Sequence, residues 1–335
     1  MKKRITACVW LTAVVMLIFG ACAPAQKTSE TYALDTICTQ QVTGQNADAA
    51  IGDVNAMLAR ITKELSTNEG SYIYDVNQSG TKGASVSDEA AQLVLDALRF
   101  AADTDGAFDP TIGAVSLLWN ISQTPRVPSP EEISAALPLV NFRDVTVNGS
   151  TVTLEKGGMR LDLGGIGKGY AADLAVQIYK QHGIDTAILN LGGNVYVYGD
   201  KQDGSDYRIG LRDPLGSEND VAAVIPVKNT SVVTSGVYER FFESGGKTYH
   251  HLIDPKTGYP ADNGLLAVTV VCDSSNKADA LSTALFVMGL SGGLDYAKRT
   301  PGIEAVFFTN DKGIYVTSGL EDKIEITNEA YTLKS

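Results

Sequence analysis

The stretch Leu161-Asp162-Leu163-Gly164-Gly165-Ile166-Gly167-Lys168-Gly169-Tyr170 is the most unusual part of the sequence. A strand-like start leads into four glycines, and a helical pattern follows from about Gly169 to His182, with Gly183 ending it. Glycines between a strand and a helix expose backbone amides that can bind an anion, and Lys168 adds a positive charge. The segment therefore predicts a phosphate site, although a tight structural turn would use the same residues.

This segment does not match the two best-known nucleotide fingerprints. A P-loop requires Ser or Thr after its lysine, but Lys168 is followed by Gly169. A GxGxxG motif fails as well, because Tyr170 stands where the last glycine belongs. The glycine turn is therefore a phosphate site of another kind or a structural turn.

Outward from this turn, helical patterns come early in the chain and strand patterns concentrate later. Helical spacing predicts a first helix over Ala47–Leu65, and Ser87 is expected to cap a second one. The capping box Ser129-Pro130-Glu131-Glu132 predicts the start of a short helix that stops near Pro138. Strand-like runs lie at 186–191, 195–198, 207–211, 222–227 and 265–272, a helix at 277–288, and hairpin turns at Asn148-Gly149 and Asp311-Lys312-Gly313. This order predicts an α+β fold with a mostly antiparallel sheet, as a single catalytic unit without an internal linker.

The composition excludes several classes of protein. The chain has 335 residues, 44% hydrophobic and 20% charged, with a formal net charge of -12. This is typical of a globular protein and not of a disordered chain. Without a Lys/Arg-rich run, the acidic chain is not expected to bind nucleic acid.

The N-terminal residues have the pattern of an export signal. A basic start precedes the apolar run 5–19, and Phe19-Gly20-Ala21-Cys22 resembles a bacterial lipobox. We expect residues 1–21 to be a lipoprotein signal peptide, with lipidated Cys22 anchoring the mature, extracytoplasmic protein to the bacterial cell membrane. A plain secretory signal cut a few residues later is the alternative.

The small polar residues that follow predict a tether over 22–30, and residues 31–335 are assigned to the catalytic domain. Cys38 and Cys272 each lie among strand-like residues, so buried free thiols are expected. Sequence alone leaves open whether these two cysteines pair.

Asp279 and Thr283 are four residues apart near the start of a predicted helix, so they share one face. A carboxylate and a hydroxyl are oxygen ligands suited to Mg²⁺. The alternative is an acidic first turn favoured by the helix dipole, together with a buried threonine.

The adjacent His250 and His251 lie before the turn sequence Asp254-Pro255. Neighbouring residues on a strand point to opposite faces, so at most one of the two is expected to enter a site. His251 is the candidate base or phosphate donor, and a solvent-facing histidine is the alternative.

Together these segments resemble the ApbE family, the FAD:protein FMN transferases. The segments that fit its motifs, in order, are Leu65-Ser66-Thr67, 106–111, 161–173, Asn190-Leu191-Gly192-Gly193, Thr234-Ser235-Gly236, 251–258 and 278–284. One such motif would be weak evidence, but the ordered set spans nearly the whole mature chain. The resemblance implies an enzyme that splits FAD, attaches FMN to a hydroxyl of an exported acceptor protein and releases AMP.

The resemblance also assigns residue roles. The residues implied to contact FAD are Leu34, Asn68, Ala107, Phe108, Asp109, Asp162, Lys168 and Ile253. Mg²⁺ would be held by Asp279, Thr283 and the carbonyl of Gly165. His251 would act near the transferring phosphate, with Asp279 as the competing base. Leu34 and Asn68 depart from the family, which often has Met and an aromatic residue there.

The resemblance further implies an acceptor motif ending in Ser/Thr-Gly-Ala-Ser/Thr. Lys82-Gly83-Ala84-Ser85 has lysine in the first position, so the acceptor is expected to be another protein. Two other functions remain open: an Mg²⁺-dependent FAD pyrophosphatase giving FMN and AMP, and a lipoprotein that stores FAD without transferring it.

Overall fold

The computed structural model describes residues 26–201 and 203–334, and it has the expected α+β fold. The strands are β1 (Gln26–Ala33), β2 (Thr36–Thr43), β3 (Ala84–Ser85), β4 (Val145–Asn148), β5 (Thr151–Leu154), β6 (Thr186–Leu191), β7 (Asn194–Tyr198), β8 (Tyr207–Arg212), β9 (Val221–Val227), β10 (Thr230–Gly236), β11 (Phe241–Ser244), β12 (Lys247–His250), β13 (Leu265–Cys272), β14 (Ile303–Thr309), β15 (Gly313–Val316), β16 (Glu325–Ile326) and β17 (Thr332–Lys334). The helices are α1 (Ala47–Leu65), α2 (Tyr72–Ser79), α3 (Asp88–Asp103), α4 (Gly113–Trp119), α5 (Pro130–Ala136), α6 (Gly167–Gln181) and α7 (Ser275–Arg299).

A nine-stranded sheet in the order β1-β2-β6-β7-β10-β13-β14-β15-β17 forms the centre of the molecule. Its neighbouring strands are antiparallel except for β15 and β17, so the expected mostly antiparallel sheet is confirmed. Three smaller sheets have the orders β16-β9-β8, β3-β5-β4 and β11-β12.

The central sheet is buried on both faces over its middle strands. Tyr196 of β7 packs on one face in an apolar cluster with residues of α1 and α6. Its neighbour Val197 points to the other face and packs with Ala223 and Ile225 of β9. This alternation follows from the two-residue period of a strand, and it places α6 and α7 together on one side of the sheet.

Most local predictions are confirmed. Helix α1 has the predicted bounds, Ser87 caps α3 by accepting a hydrogen bond from Ala90 N, and the capping box of Ser129 and Glu132 is complete. Strands β4 and β5 form the hairpin expected around Asn148-Gly149.

Three predictions need correction. Residues 161–163 are not a strand, because the Leu161 backbone pairs with the Asn77 side chain and Asp162 N donates to Pro110 O. Residues 26–30 of the predicted tether belong to β1, where β2 supplies their hydrogen-bonding partners. Helix α7 continues beyond the predicted end at 288, across a break at Gly289, which has a φ of 74°.

Cys38 and Cys272 are both buried and free, as expected. The predicted signal peptide and Cys22 lie outside the described residues. Within residues 26–201 and 203–334, none of the helices has the length and apolar character to cross a membrane.

Candidate active site

The glycine turn before α6 is held by the side chain of Asp162. Its Oδ1 accepts a hydrogen bond from Gly164 N at 2.9 Å, and its Oδ2 accepts one from Ser116 Oγ at 3.0 Å. The Gly167 amide at the start of α6 donates to Leu163 O. Asp162 therefore positions the turn, and its direct contact with FAD stays a prediction.

Helices α6 and α7 touch where Gly169 meets the start of α7. A Cβ added at Gly169 would lie 2.2 Å from the carbonyl oxygen of Ser275 and 2.7 Å from Cβ of Asp279. The Gly169 amide donates to Asp279 Oδ2 at 2.8 Å. Only glycine permits this approach, which brings the glycine turn and Asp279 together.

The predicted metal ligands converge beside this contact. Asp279 is only 3% exposed, and its Oδ1 lies 3.8 Å from Lys168 Nζ. A Cβ added at Gly165 would lie 3.6 Å from Thr283 Oγ1, so the glycine turn faces the second predicted side-chain ligand. Ser235 Oγ lies 3.3 Å from Thr283 Oγ1 and 2.8 Å from Ser282 Oγ, which fixes this stretch of α7 against β10.

The donor set suits a hard cation. It comprises one carboxylate, one hydroxyl and one backbone carbonyl, which are oxygen donors of the kind that Mg²⁺ takes. In the described residues, no three His, Cys, Asp or Glu side chains form a metal-binding group. A metal here would therefore depend on Asp279 as its only charged ligand in that set.

The loop before α4 lies against the glycine turn through Phe108. The Phe108 ring is 3.2 Å from a Cβ added at Gly165. The buried Asp109 carboxylate accepts hydrogen bonds from Thr111 N, Thr111 Oγ1 and Phe142 N. Burial nevertheless raises the pKa of Asp109. Asp109 thus holds the loop, and its predicted FAD contact, like that of Ala107, stays a prediction.

Leu34 occupies an unusual backbone conformation in the turn between β1 and β2. It has a φ of 52° and its amide donates to Thr62 Oγ1 at 2.9 Å. Positive φ is rare for a bulky residue. This turn lies against the one between β6 and β7, because a Cβ added at Gly192 would be 2.2 Å from Thr36 Oγ1. The turn that carries Leu34 therefore lies beside the Gly192-Gly193 motif.

Asn68 and Ile253 have contrasting surroundings. Asn68 lies in an exposed loop after α1, with its amide donating to Ser66 Oγ. Ile253 is buried in an apolar cluster with Trp119 and Ile133. Their predicted roles in FAD binding stay predictions.

His251 has one ring nitrogen committed and one free to accept a proton. Its backbone amide donates to Arg240 O at 3.0 Å, and its Nδ1 lies 3.3 Å from the same oxygen. A carbonyl can only accept, so Nδ1 carries the proton and Nε2 keeps its lone pair. Burial and the positive charges of Arg240 and Lys168 lower the pKa of His251 to about 3.

His250 points elsewhere and is committed to structural contacts. Its Nε2 donates to Ala261 O at 3.2 Å, its Nδ1 accepts from Leu252 N at 3.3 Å, and its ring packs edge-on against Phe286. Strand β12 ends at His250, so His251 is just past the strand rather than within it. The two rings nevertheless make separate contacts, as the alternation argument expected.

Glu239 is a site residue that the sequence interpretation missed. Its side chain is exposed to solvent and lies within electrostatic range of Lys168 and Asp279, so Glu239 and the glycine turn border one cleft. Removal of water by the neighbouring protein, together with the negative charge of Asp279, raises the pKa of Glu239 to about 7. The positive charge of Lys168 acts in the opposite direction but is outweighed. Its Oε1 lies 3.7 Å from a Cβ added at Gly193. Two residues separate it from the Thr234-Ser235-Gly236 motif, but no local pattern indicates a role for it.

The cleft therefore has two sides. One is the glycine turn with the N-terminal turns of α6 and α7, which supply Lys168, Asp279 and Thr283. The other is the segment from Glu239 to His251, which includes β11 and β12. The amides of Gly164, Gly167 and Gly169 donate within the protein, so the predicted anion site rests on the start of α6 and Lys168. A helix N-terminus, a lysine, oxygen ligands and a neutral imidazole in one cleft can support phosphoryl transfer, which needs charge neutralisation and positioning.

The comparisons with known proteins agree with this geometry. The model of the ApbE family matches residues 34–307. The chain is 34% identical over 359 residues to an FAD:protein FMN transferase of Treponema pallidum (strain Nichols), covering 98% of this chain and 99% of that protein. It is 35% identical over 276 residues to an FAD:protein FMN transferase of Klebsiella pneumoniae (strain 342), covering 81% of this chain and 85% of that protein.

Solved structures show the same architecture. An ApbE protein from Thermotoga maritima superposes with a TM-score of 0.84 and 34% identity, covering 89% of this chain and 99% of that chain. The apo form of the Pseudomonas stutzeri flavinyl transferase ApbE gives a TM-score of 0.79 and 29% identity, covering 90% of this chain and 97% of that chain.

Proposed function

The chain belongs to the ApbE family, and from that premise we propose that it transfers FMN from FAD to a Ser or Thr hydroxyl of an exported acceptor protein. The observation that supports this most is the position of His251, whose Nδ1 is taken by Arg240 O and which lies close enough to Lys168 for that charge to lower its pKa. A base, a cation and a glycine-rich anion site are the groups that an attack on a pyrophosphate needs.

In the proposed reaction, the acceptor oxygen attacks the phosphorus of the FMN half of FAD. The new oxygen–phosphorus bond forms as the bond to the bridging oxygen breaks, and that oxygen leaves with AMP. The hydroxyl proton passes to His251 Nε2. With a pKa lowered to about 3, His251 is neutral at pH 7 and its Nε2 lone pair is available. The negative phosphates of bound FAD would raise this pKa and strengthen the base. Asp279 is less suited as the base, because one of its oxygens already accepts from Gly169 N.

The glycine-turn side would bind the FAD phosphates. The N-terminal end of the α6 dipole and the Lys168 ammonium would supply the positive potential there. Phe108, which lies against the glycine turn, and Leu34 would contact the rest of FAD, as the family resemblance implies.

We also propose that this enzyme depends on Mg²⁺, held by Asp279, Thr283 and the carbonyl of Gly165. The three positions face one another across the α6–α7 contact, and their oxygen chemistry fits that ion. When bound, Mg²⁺ would neutralise charge on the pyrophosphate.

Hydrolysis of FAD is the second function that an observation favours. Glu239 and His251 are both reached by solvent, so water can stand where the acceptor hydroxyl would attack. The same residues would then release FMN and AMP.

The direct test supplies FAD and Mg²⁺ with and without a purified exported protein that contains a Ser-Gly-Ala-Thr segment. Intact-mass analysis should show the acceptor gaining one FMN less one water, with one AMP released per acceptor. Free FMN and AMP at the same rate with or without acceptor would instead show a pyrophosphatase. Bound, unchanged FAD in both arms would show a storage protein.

We further propose that the mature protein is an extracytoplasmic lipoprotein attached to the cell membrane through Cys22, as the lipobox-like sequence suggests. Replacing Cys22 with Ser should abolish membrane attachment. Intact-mass data showing an unmodified N-terminus at a later residue would contradict this proposal.

A further inference from the structure

The β11–β12 hairpin is a two-stranded sheet that stands apart from the central sheet. Its strands join through Gly245-Gly246, which have φ values of 59° and 74°. Phe242 and Tyr249 stack across it with ring centroids 5.4 Å apart, and Trp119 lies 5.3 Å from the Tyr249 ring. The hairpin is therefore held at one face by aromatic packing, while most of its length is exposed.

The pairing register shows which backbone groups point out of the hairpin. Antiparallel pairs alternate between hydrogen-bonded and non-hydrogen-bonded residues. His251 N donates to Arg240 O, so the pair just before β11 and after β12 is hydrogen-bonded. The next pair, Phe241 with His250, is then non-hydrogen-bonded, as is Glu243 with Thr248. Phe241 and Glu243 consequently direct their N–H and C=O groups away from β12.

The two outer edges of the hairpin differ at the end that faces the cleft. Beyond β12, Leu252 O accepts from Ala261 N, and the His250 ring donates to Ala261 O. That edge is closed by the chain itself. In the described residues, β11 pairs only with β12, so its outer edge is open.

The open edge leads into the cleft. Glu239, whose side chain lies beside Gly193, precedes Phe241 by two residues, in the turn that leads into β11. Arg240, between them, accepts both hydrogen bonds that fix His251. A chain paired along β11 would therefore run toward His251.

We propose that the outer edge of β11 binds the acceptor protein as an added β-strand and delivers its hydroxyl to His251. This inference rests on the proposed function, which requires an acceptor chain in the cleft. An exposed strand edge binds an extended chain through main-chain hydrogen bonds. Phe241, 50% exposed, adds an apolar contact on the same edge. The occupant is thus an extended segment of the acceptor around its Ser or Thr.

The hairpin offers a matched pair of variants for the test. Glu243→Pro removes the outward N–H of β11, and Thr248→Pro removes the outward N–H of β12 from the same cross-strand pair. Using the purified exported protein with a Ser-Gly-Ala-Thr segment, Glu243→Pro should raise the KM for that acceptor on the order of 10-fold, the effect of one or more lost backbone hydrogen bonds. Thr248→Pro should leave this KM unchanged, and both variants should bind FAD normally.

A second variant avoids proline altogether. Phe241→Ala keeps every backbone group and should raise the KM for the acceptor several-fold with unchanged FAD affinity, whereas Leu215→Ala, at a site 55% exposed elsewhere, should not. Equal KM values for wild type, Glu243→Pro and Phe241→Ala would overturn the proposal, as would a larger effect of Thr248→Pro. Failure of the wild-type enzyme to label the acceptor would instead refute the proposed function.

Discussion

The two sides of the cleft are built by opposite means. On the glycine-turn side, the Gly169 backbone packs directly on Ser275, and the nearby Asp279 is almost fully buried. On the hairpin side, β11 and β12 are mostly exposed and have only each other as strand partners within the described chain. Rigid backbone contacts suit a small ligand of fixed shape, whereas an open strand edge suits a protein chain that must enter and leave.

The largest expected effect is on stability, at the closest backbone contact of the glycine-turn side. Gly169→Ala would place a methyl group against the Ser275 backbone, which cannot move without separating α6 from α7. We expect the free energy of unfolding to fall by about 3 kcal/mol or more, measured by urea denaturation. Gly52→Ala, in helix α1 with open space around it, should instead stabilise the protein by about 0.5–1 kcal/mol. Equal stability of the two variants would show that the helices are not in close contact.

The next effect concerns activity rather than folding. Asp279→Asn keeps an oxygen for the Gly169 amide but removes the charged metal ligand, so transfer should fall on the order of 10²-fold or more, and EDTA should have the same effect on wild type. Asp173→Asn is the matched control. Asp173 accepts from Ser274 Oγ and the first amides of α7, so its loss should cost about 1 kcal/mol of stability without changing the Mg²⁺ requirement. A fully active Asp279→Asn enzyme would rule out the metal site.

A smaller effect should separate FAD binding from turnover. Lys168→Met removes the cation at the glycine turn, and the dissociation constant for FAD should rise about 10- to 100-fold by isothermal titration calorimetry. Lys180→Met, in the exposed last turn of the same helix, should bind FAD like wild type. If Lys168→Met and Lys180→Met raise the dissociation constant for FAD equally, the net charge of α6, and not the glycine turn, attracts FAD.

The smallest effect lies on the hairpin side and depends on pH. The pKa of Glu239 is raised to about 7, so the folded state favours its protonated form. Its contribution to stability is then present below pH 4.5 and lost as the pH rises through 7. Because solvent reaches this side chain, Glu239→Gln should raise the melting temperature by only about 1–2 °C at pH 8 and leave it unchanged at pH 4.5. A pH-independent shift would contradict the raised pKa.

How well the sequence predicts a part of the fold depends on how far apart in the chain the interacting residues are. Helix α1 and strands β6 and β13 have the predicted bounds, because their hydrophobic periods are properties of the local chain. Residues 161–163 have a strand-like sequence but form no strand, because their backbone partners, Asn77 and Pro110, are distant in sequence.

The site residues divide in the same way, into those that lie in a local sequence motif and those defined by tertiary contacts. The ordered motifs identified the family and pointed to the glycine turn, Asp279 and His251 before the fold was known. Glu239 and the open edge of β11 could not be found that way, because each gains its meaning from a neighbour brought by tertiary structure, Gly193 for the first and His251 for the second. The resemblance implies FAD contacts for Asp109 and Asp162, which stay predictions, and the structure adds that both carboxylates hold loops.

The adjacent histidines provide the most direct test of the two-sided account. FAD affinity and kcat should be measured for His251→Ala and His250→Ala with the same acceptor. We predict that His251→Ala binds FAD within about two-fold of wild type while kcat falls on the order of 10²–10⁴-fold, the usual loss for a general base. His250→Ala should keep kcat, because its ring contacts Ala261, Leu252 and Phe286 instead. A slow His250→Ala enzyme, or two variants with wild-type kcat, would contradict the account.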